Sequence, residues 1–199
     1  MNWHTSAERP KICVIGLGNV FLGDDAFGPL VVEKFRCEYV HDASAEILDL
    51  GTPGLDLTPY LHARELVVIV DAVVSDEKPG TLRVHHGSGL LDRPAMLHLT
   101  GHDPGLGQCL AQLKLAGLSP SKVIILGVVP ECCDLGSRIS ACVLGAVSAA
   151  VYTIVLMLNE HGVPCRRRPV RQFSNLLWQV ASFAGQATAK ACSREPGGA

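Results

Sequence analysis

Three polar residues along the 199-residue chain are placed where chemistry is feasible: Asp25, Asp71 and His102. Asp25 closes Gly23-Asp24-Asp25, just after Gly16-Leu17-Gly18-Asn19; Asp71 follows the apolar run Leu66 to Val70; His102 stands just before a stretch of helical periodicity. Two carboxylates and an imidazole suit a divalent metal. The imidazole matches nickel or zinc, the carboxylates neutralise charge, and three donors leave room for an external ligand. The intervals of 46 and 31 residues form no local ligand motif, so only the fold can bring the three together. Each also has a plain structural use. Asp25 is favourable at a helix start through capping and the helix dipole. Asp71, an acid directly after an apolar strand, must be hydrated, paired or metal-bound. His102 fits a surface or helix-start position, and Asp24 fits a base, a supporting group or a cap.

Other chemistries lack their motifs. A dinucleotide fingerprint needs a third glycine at position 21, which is Phe21. There is no GxxxxGK[ST], no GxSxG and no HExxH, which removes P-loop hydrolysis, the usual serine-hydrolase elbow and the zinc-peptidase helix. The eight Cys contain no CxxC pair, so a disulfide scaffold is not expected; Cys13 and Cys142 fall in apolar runs and read as reduced core or loop residues. Only Cys132-Cys133 has the look of a metal or redox pair.

The elements that must position these residues alternate between strand and helix. Lys11 to Asn19 reads as a strand ending in glycines, and Ala26 to Tyr39 as a helix. A second strand runs from Ala45 to Gly51, and a short helix from Leu55 to Ala63. Glu65 to Val73 is an almost unbroken apolar run, as in a central strand covered on both faces. After the Lys78-Pro79-Gly80 turn, Thr81 to His86 alternates like an edge strand. Asp103 to Ala116 reads as a helix and Ser121 to Pro130 as another buried strand. This order predicts a three-layer α/β/α sandwich around a mostly parallel twisted sheet, with one antiparallel edge strand. Ligands of such sheets bind outside the carboxyl ends of the strands, where Asp25 and Asp71 fall.

Composition sets the outer limits. With 17 Lys+Arg against 19 Asp+Glu, a net charge of −2 and 5% aromatic residues, the chain has neither the basic surface nor the stacking platforms of a nucleic-acid binder; Arg166-Arg167-Arg168 is its single tight basic cluster. The first ten residues hold no apolar h-region, which predicts a cytoplasmic protein. One segment opposes that reading. Between Arg138 and Glu160 lie 21 uncharged residues, long enough to span a bilayer. Ser140, Ser148, Tyr152 and Asn159 share one helical face and leave Val143, Val147, Ile154 and Leu158 for a core, so a buried helix and no membrane is the expectation. A domain over 11–163 is predicted, followed at 164–199 by an appended amphipathic helix (Phe173, Leu176, Leu177, Val180, Phe183) and a disordered tail.

The ordered blocks VIGLGNVFLGDDAFGPLVVEKF, ILDLGTPGLDL, VVIVDAV with PGTL, TGHDPGLGQCLAQLKLAG and VIILGVVPE resemble those of the nickel–iron hydrogenase maturation endopeptidases, from about Ile12 to about Gly162. The resemblance implies an endopeptidase that removes the C-terminal extension of a hydrogenase large-subunit precursor after nickel insertion. It also implies Asp25, Asp71 and His102 as the residues that bind the nickel and carry catalysis. The nickel would come with the substrate, and no tightly bound cofactor is expected; the protein would act as a monomer with the precursor as partner. Leu50 departs from the family's DGG at Asp49-Leu50-Gly51, where a glycine-dependent backbone contact would be lost. Two other classes suit the same residues: a non-catalytic nickel-sensing maturation chaperone, and a small-molecule metal-dependent hydrolase.

Overall fold

The computed structural model describes residues 10–53, 57–86 and 105–169. Its elements run β1 (Ile12–Leu17), a 3-10 turn (Gly23–Ala26), α1 (Phe27–Glu38), β2 (Tyr39–Val40), β3 (Ala45–Gly51), α2 (Thr58–Leu61) and β4 (Leu66–Ala72). Then follow β5 (Leu82–His86), α3 (Gly105–Leu115), β6 (Lys122–Val128), α4 (Ala141–Glu160) and β7 (Arg166–Arg167). Five strands form one sheet in the order β3-β1-β4-β6-β5. All neighbours are parallel except β5, which runs antiparallel to β6 at the edge, as predicted.

Side-chain alternation along the strands builds two cores. Val14, Val68, Val70, Ile124 and Leu126 pack beneath α1 and α4, while Cys13, Ile15, Val67, Ile69, Val123 and Ile125 pack beneath α2 and α3. All seven residues of β4 are buried, which is why its sequence shows no polar alternation; four of the five residues of β5 are exposed, and its sequence does alternate. The helices therefore cover both faces of the sheet, giving the three layers expected.

Helix α4 is long and apolar enough to cross a membrane by length and composition. It nevertheless packs against α1, with Val143, Val147, Ile154 and Leu158 buried and Ser148, Tyr152 and Asn159 exposed, the two faces that its periodicity predicts. Burial of each large aliphatic side chain contributes about 1.5–3 kcal/mol, far more than intrinsic helix propensity, so this face fixes the helix on the sheet.

Of the appended segment, residues 164–169 are described. Arg166 and Arg167 pair antiparallel with Val40 and Tyr39, and the Arg167 guanidinium lies 5.9 Å from the centre of the Tyr39 ring. Arg168 donates from its backbone N–H to the Glu38 carbonyl and from Nε to the Arg36 carbonyl, at 2.8 Å each. The basic cluster thus ties the chain to the end of α1. The helix predicted around Phe173 to Phe183 and the predicted tail lie outside the described residues.

Candidate metal and catalytic site

The site begins where β1 stops. Gly18 has φ +125°, and a Cβ there would collide with the Asp25 carbonyl oxygen, so the strand exit and the Asp25 turn can meet only at a glycine. The Asn19 N–H donates to Asp25 Oδ2 at 2.7 Å, the Asp25 N–H donates to the Leu22 carbonyl at 3.1 Å, and the Phe21 N–H to Asn19 Oδ1 at 2.9 Å. The loop is thereby closed on itself, with the Asp25 carboxylate as one of its anchors. The 3-10 turn carrying Asp25 packs against β4, the strand that ends at Asp71–Ala72. Asp71 pairs with Gly127 across the ladder, and its Oδ1 accepts from the Ala72 N–H at 2.7 Å. By strand alternation it shares the face of Val67 and Ile69, beneath α2 and α3.

Two carboxylates, each 2% exposed, are therefore brought to the carboxyl ends of adjacent strands. Burying a carboxylate is costly unless hydrogen bonds or a cation offset it, and Asp25 Oδ2 and Asp71 Oδ1 each accept a backbone N–H here. Oxygen donors of this kind suit a divalent ion. His102 lies outside the described residues; the chain is described again from Gly105, the start of α3. Among the described residues no three His, Cys, Asp or Glu side chains form a metal cluster.

Asp24, which the sequence left between base, support and cap, has a defined task. Its side chain is fully buried and accepts three backbone N–H groups: Glu131 (2.7 Å) and Cys132 (3.1 Å) on Oδ2, and Ser140 (2.6 Å) on Oδ1. The Asp24 N–H in turn donates to the Cys132 carbonyl at 2.9 Å, and Gly136 N–H to the Phe21 carbonyl at 2.8 Å. Asp24 is a brace, joining the Asp25 turn to the loop after β6 and to the N-cap of α4, where Ser140 Oγ accepts the Val143 N–H. Its partners lie 107 to 116 residues away, so no local pattern could reveal it.

The same brace sets Cys133 beside the acids. Burial, then the charges of Asp25 and Asp24, push its thiol up to about 11. At pH 8 a group of that pKa holds about a hundredth of the thiolate of an ordinary thiol near 9. Alkylation of Cys133 is therefore expected to run about 100-fold slower in the folded protein than in the denatured one, and to keep accelerating up to about pH 11. Mass-mapped iodoacetamide labelling against pH checks this, and levelling near pH 9 contradicts it. All seven cysteines among the described residues are free thiols; Cys13 is buried, whereas Cys142 is exposed despite its apolar surroundings, because it falls on the outer face of the first turn of α4.

Leu50 is accommodated rather than disruptive. The register between β1 and β3 shifts there, Gly16 pairing with Asp49 and Leu17 with Gly51, so Leu50 is the extra residue of a bulge, partly buried against the core. The left-handed residue is Gly51, φ +59°, whose carbonyl accepts the Gly18 N–H at 2.9 Å.

Comparison with known proteins now bears on the whole arrangement. The HycI hydrogenase maturation protease family model matches residues 29–156. The chain belongs to the hydrogenase maturation protease family. The hydrogenase 2 maturation protease of Escherichia coli K12 is 31% identical over 156 residues, 77% of this chain and 93% of that protein. The hydrogenase expression/formation protein HupD of Rhizobium leguminosarum bv. viciae is 30% identical over 161 residues, 80% of each. The solved structure of the hydrogenase maturating endopeptidase HybD from E. coli superposes with a TM-score of 0.74 at 30% identity, covering 79% of this chain and 98% of that one. The mostly parallel five-stranded sheet flanked by helices is thus the fold of these maturation proteases, and the protein is a protease of hydrogenase maturation.

Proposed function

We propose that this maturation protease removes the C-terminal extension of a hydrogenase large-subunit precursor once nickel has been inserted, and that it recognises the nickel held by that precursor. The observation that carries the proposal is the pair Asp25 and Asp71, each 2% exposed, at the ends of adjacent strands of a hydrogenase maturation protease. Two buried carboxylates suit a divalent metal, and the metal proposed is one that arrives already bound to another molecule. His102 is proposed as the third donor. The ion is then part of the substrate, and the protein holds no tightly bound cofactor of its own.

The residues act by position. The Asn19 amide and Gly18 hold Asp25 toward the strand ends, and the β4–β6 ladder holds Asp71. Both carboxylates offset the positive charge of the arriving metal centre, and His102 completes the set. A divalent cation supplies Lewis acidity there, polarising the scissile carbonyl or lowering the pKa of a water. Water adds to the carbonyl carbon, the C–N bond breaks and the new amine takes a proton. Because the acids bind the ion and not the extension, trimming is conditional on loading. The protein works in the cytoplasm as a monomer, without membrane or nucleic-acid partners.

Incubation of the purified protein with nickel-loaded and nickel-free precursor tests this. Only the loaded precursor is expected to lose mass at its C-terminus. Binding of loaded precursor without mass loss supports a nickel-sensing chaperone instead, and stoichiometric metal copurifying with the protein supports a metal-dependent hydrolase of small molecules.

A further inference from the structure

The carboxyl edge of the sheet carries more than acids. Each of the three adjacent central strands β1, β4 and β6 is followed by a connection that exposes one large apolar residue: Phe21 (50% exposed), Val74 (64%) and Leu135 (81%). The first two connections are those that place Asp25 and Asp71. These residues are not on loose tips. The Phe21 carbonyl accepts the Gly136 N–H, next to Leu135, at 2.8 Å, and the Asp24 brace locks both loops together. Val74 follows Val73, whose N–H donates to the Val128 carbonyl at 2.8 Å at the end of β6. Water-exposed apolar side chains scattered singly mean little, but three on the connections of adjacent strands, two of those connections tied together by backbone hydrogen bonds, mark a contact surface at the sheet edge that carries Asp25 and Asp71.

We propose that Phe21, Val74 and Leu135 form the docking rim for the polypeptide of the large-subunit precursor that flanks its metal centre. The inference rests on the proposed function, since it names how the same site receives its substrate. The argument for this occupant is position: whatever brings a metal to Asp25 and Asp71 must cover the strand ends, and the connections around them present apolar side chains. Exposed Glu131 and Asp134 on the loop of Leu135, and Asp76 just after Val74, add negative charge to the rim, whereas Glu77 is paired with Arg83, so the rim suits an apolar segment with basic or metal-borne positive charge. A rigid rim loses little conformational freedom on binding, and a few such anchors carry most of an interface's energy.

The test is the trimming kinetics of nickel-loaded precursor with the wild type, with the triple variant Phe21→Ser, Val74→Ser, Leu135→Ser, and with Leu115→Ser. Leu115 is 91% exposed at the far end of α3 and serves as a surface control. The triple variant is expected to raise KM at least ~10-fold with kcat within ~2-fold, and the control to change neither. Thermal unfolding of each protein shows that it is folded, and the single variant Leu135→Ser, at the most exposed of the three positions, is measured if the triple variant is not. An unchanged KM in a folded variant, beside a wild type that trims, overturns the docking rim while the proposed function stands. A fall in kcat at constant KM also overturns it, because the residues would then act on the chemistry. A wild type that leaves loaded precursor intact overturns the proposed function, and the docking rim falls with it.

Discussion

Asp71→Asn is expected to reduce trimming of nickel-loaded precursor at least ~100-fold while leaving the domain folded. Loss of groups that merely orient a metal ligand already costs 10–100-fold, and a ligand itself contributes more. Asn retains the volume of Asp71 and an oxygen to accept the Ala72 N–H, so the end of β4 keeps its local geometry. What disappears is the negative charge, at a position only 2% exposed, where a cation is poorly screened and a missing charge cannot be replaced by water. The ladder through Val70 and Asp71 to β6 is formed by backbone groups and is untouched. Mass measurement of the precursor, with thermal unfolding of the variant, checks the expectation. A folded Asp71→Asn protein that trims at the wild-type rate removes Asp71 from the ligand set.

Asp24→Ala is the counterpart in stability. Three backbone N–H groups lose a charged acceptor, and hydrogen bonds to charged groups contribute about 1.5–3 kcal/mol each, though not additively. A loss of about 3–5 kcal/mol is expected, a large part of the ~5–15 kcal/mol that holds a domain folded. Asp24→Asn should recover less than half of it, because its amide turns a donor toward groups that are themselves donors. Denaturant midpoints measure the loss, and faster hydrogen exchange at the Glu131, Cys132 and Ser140 amides locates it. An unchanged midpoint shows that the brace does not hold the fold.

Much of this was legible in the residues. The five sheet strands announce themselves because their neighbours bury them: β4 and β6 are apolar nearly throughout, β5 alternates, and those are the two signatures of covered and edge strands. The rule that parallel sheets present their ligands at the carboxyl ends singles out Asp25 and Asp71 as candidates, and the structure places both there, buried. The bulge that absorbs Leu50 depends on pairing with β1, more than thirty residues earlier, so no local pattern announces it. Asp24 and Cys133 were opaque for the same reason. What each does is decided by a loop more than a hundred positions away in the chain, and local spacing does not encode such partners. The pairing of the arginine cluster was not legible because its partner is a two-residue strand more than a hundred positions earlier.

The strand order also dictates when this protein becomes safe to leave the ribosome. β6 is inserted between β4 and β5, although both precede it in the chain. Until Lys122–Val128 has been synthesised, β4, apolar but for Asp71, presents one edge without its β6 partner, and β5 lacks the strand it pairs with. Open apolar edges are the surfaces through which nascent chains associate with one another. Chains truncated before Val128 are therefore the aggregation-prone ones, and α4, synthesised afterwards, closes a sheet that has only just become complete.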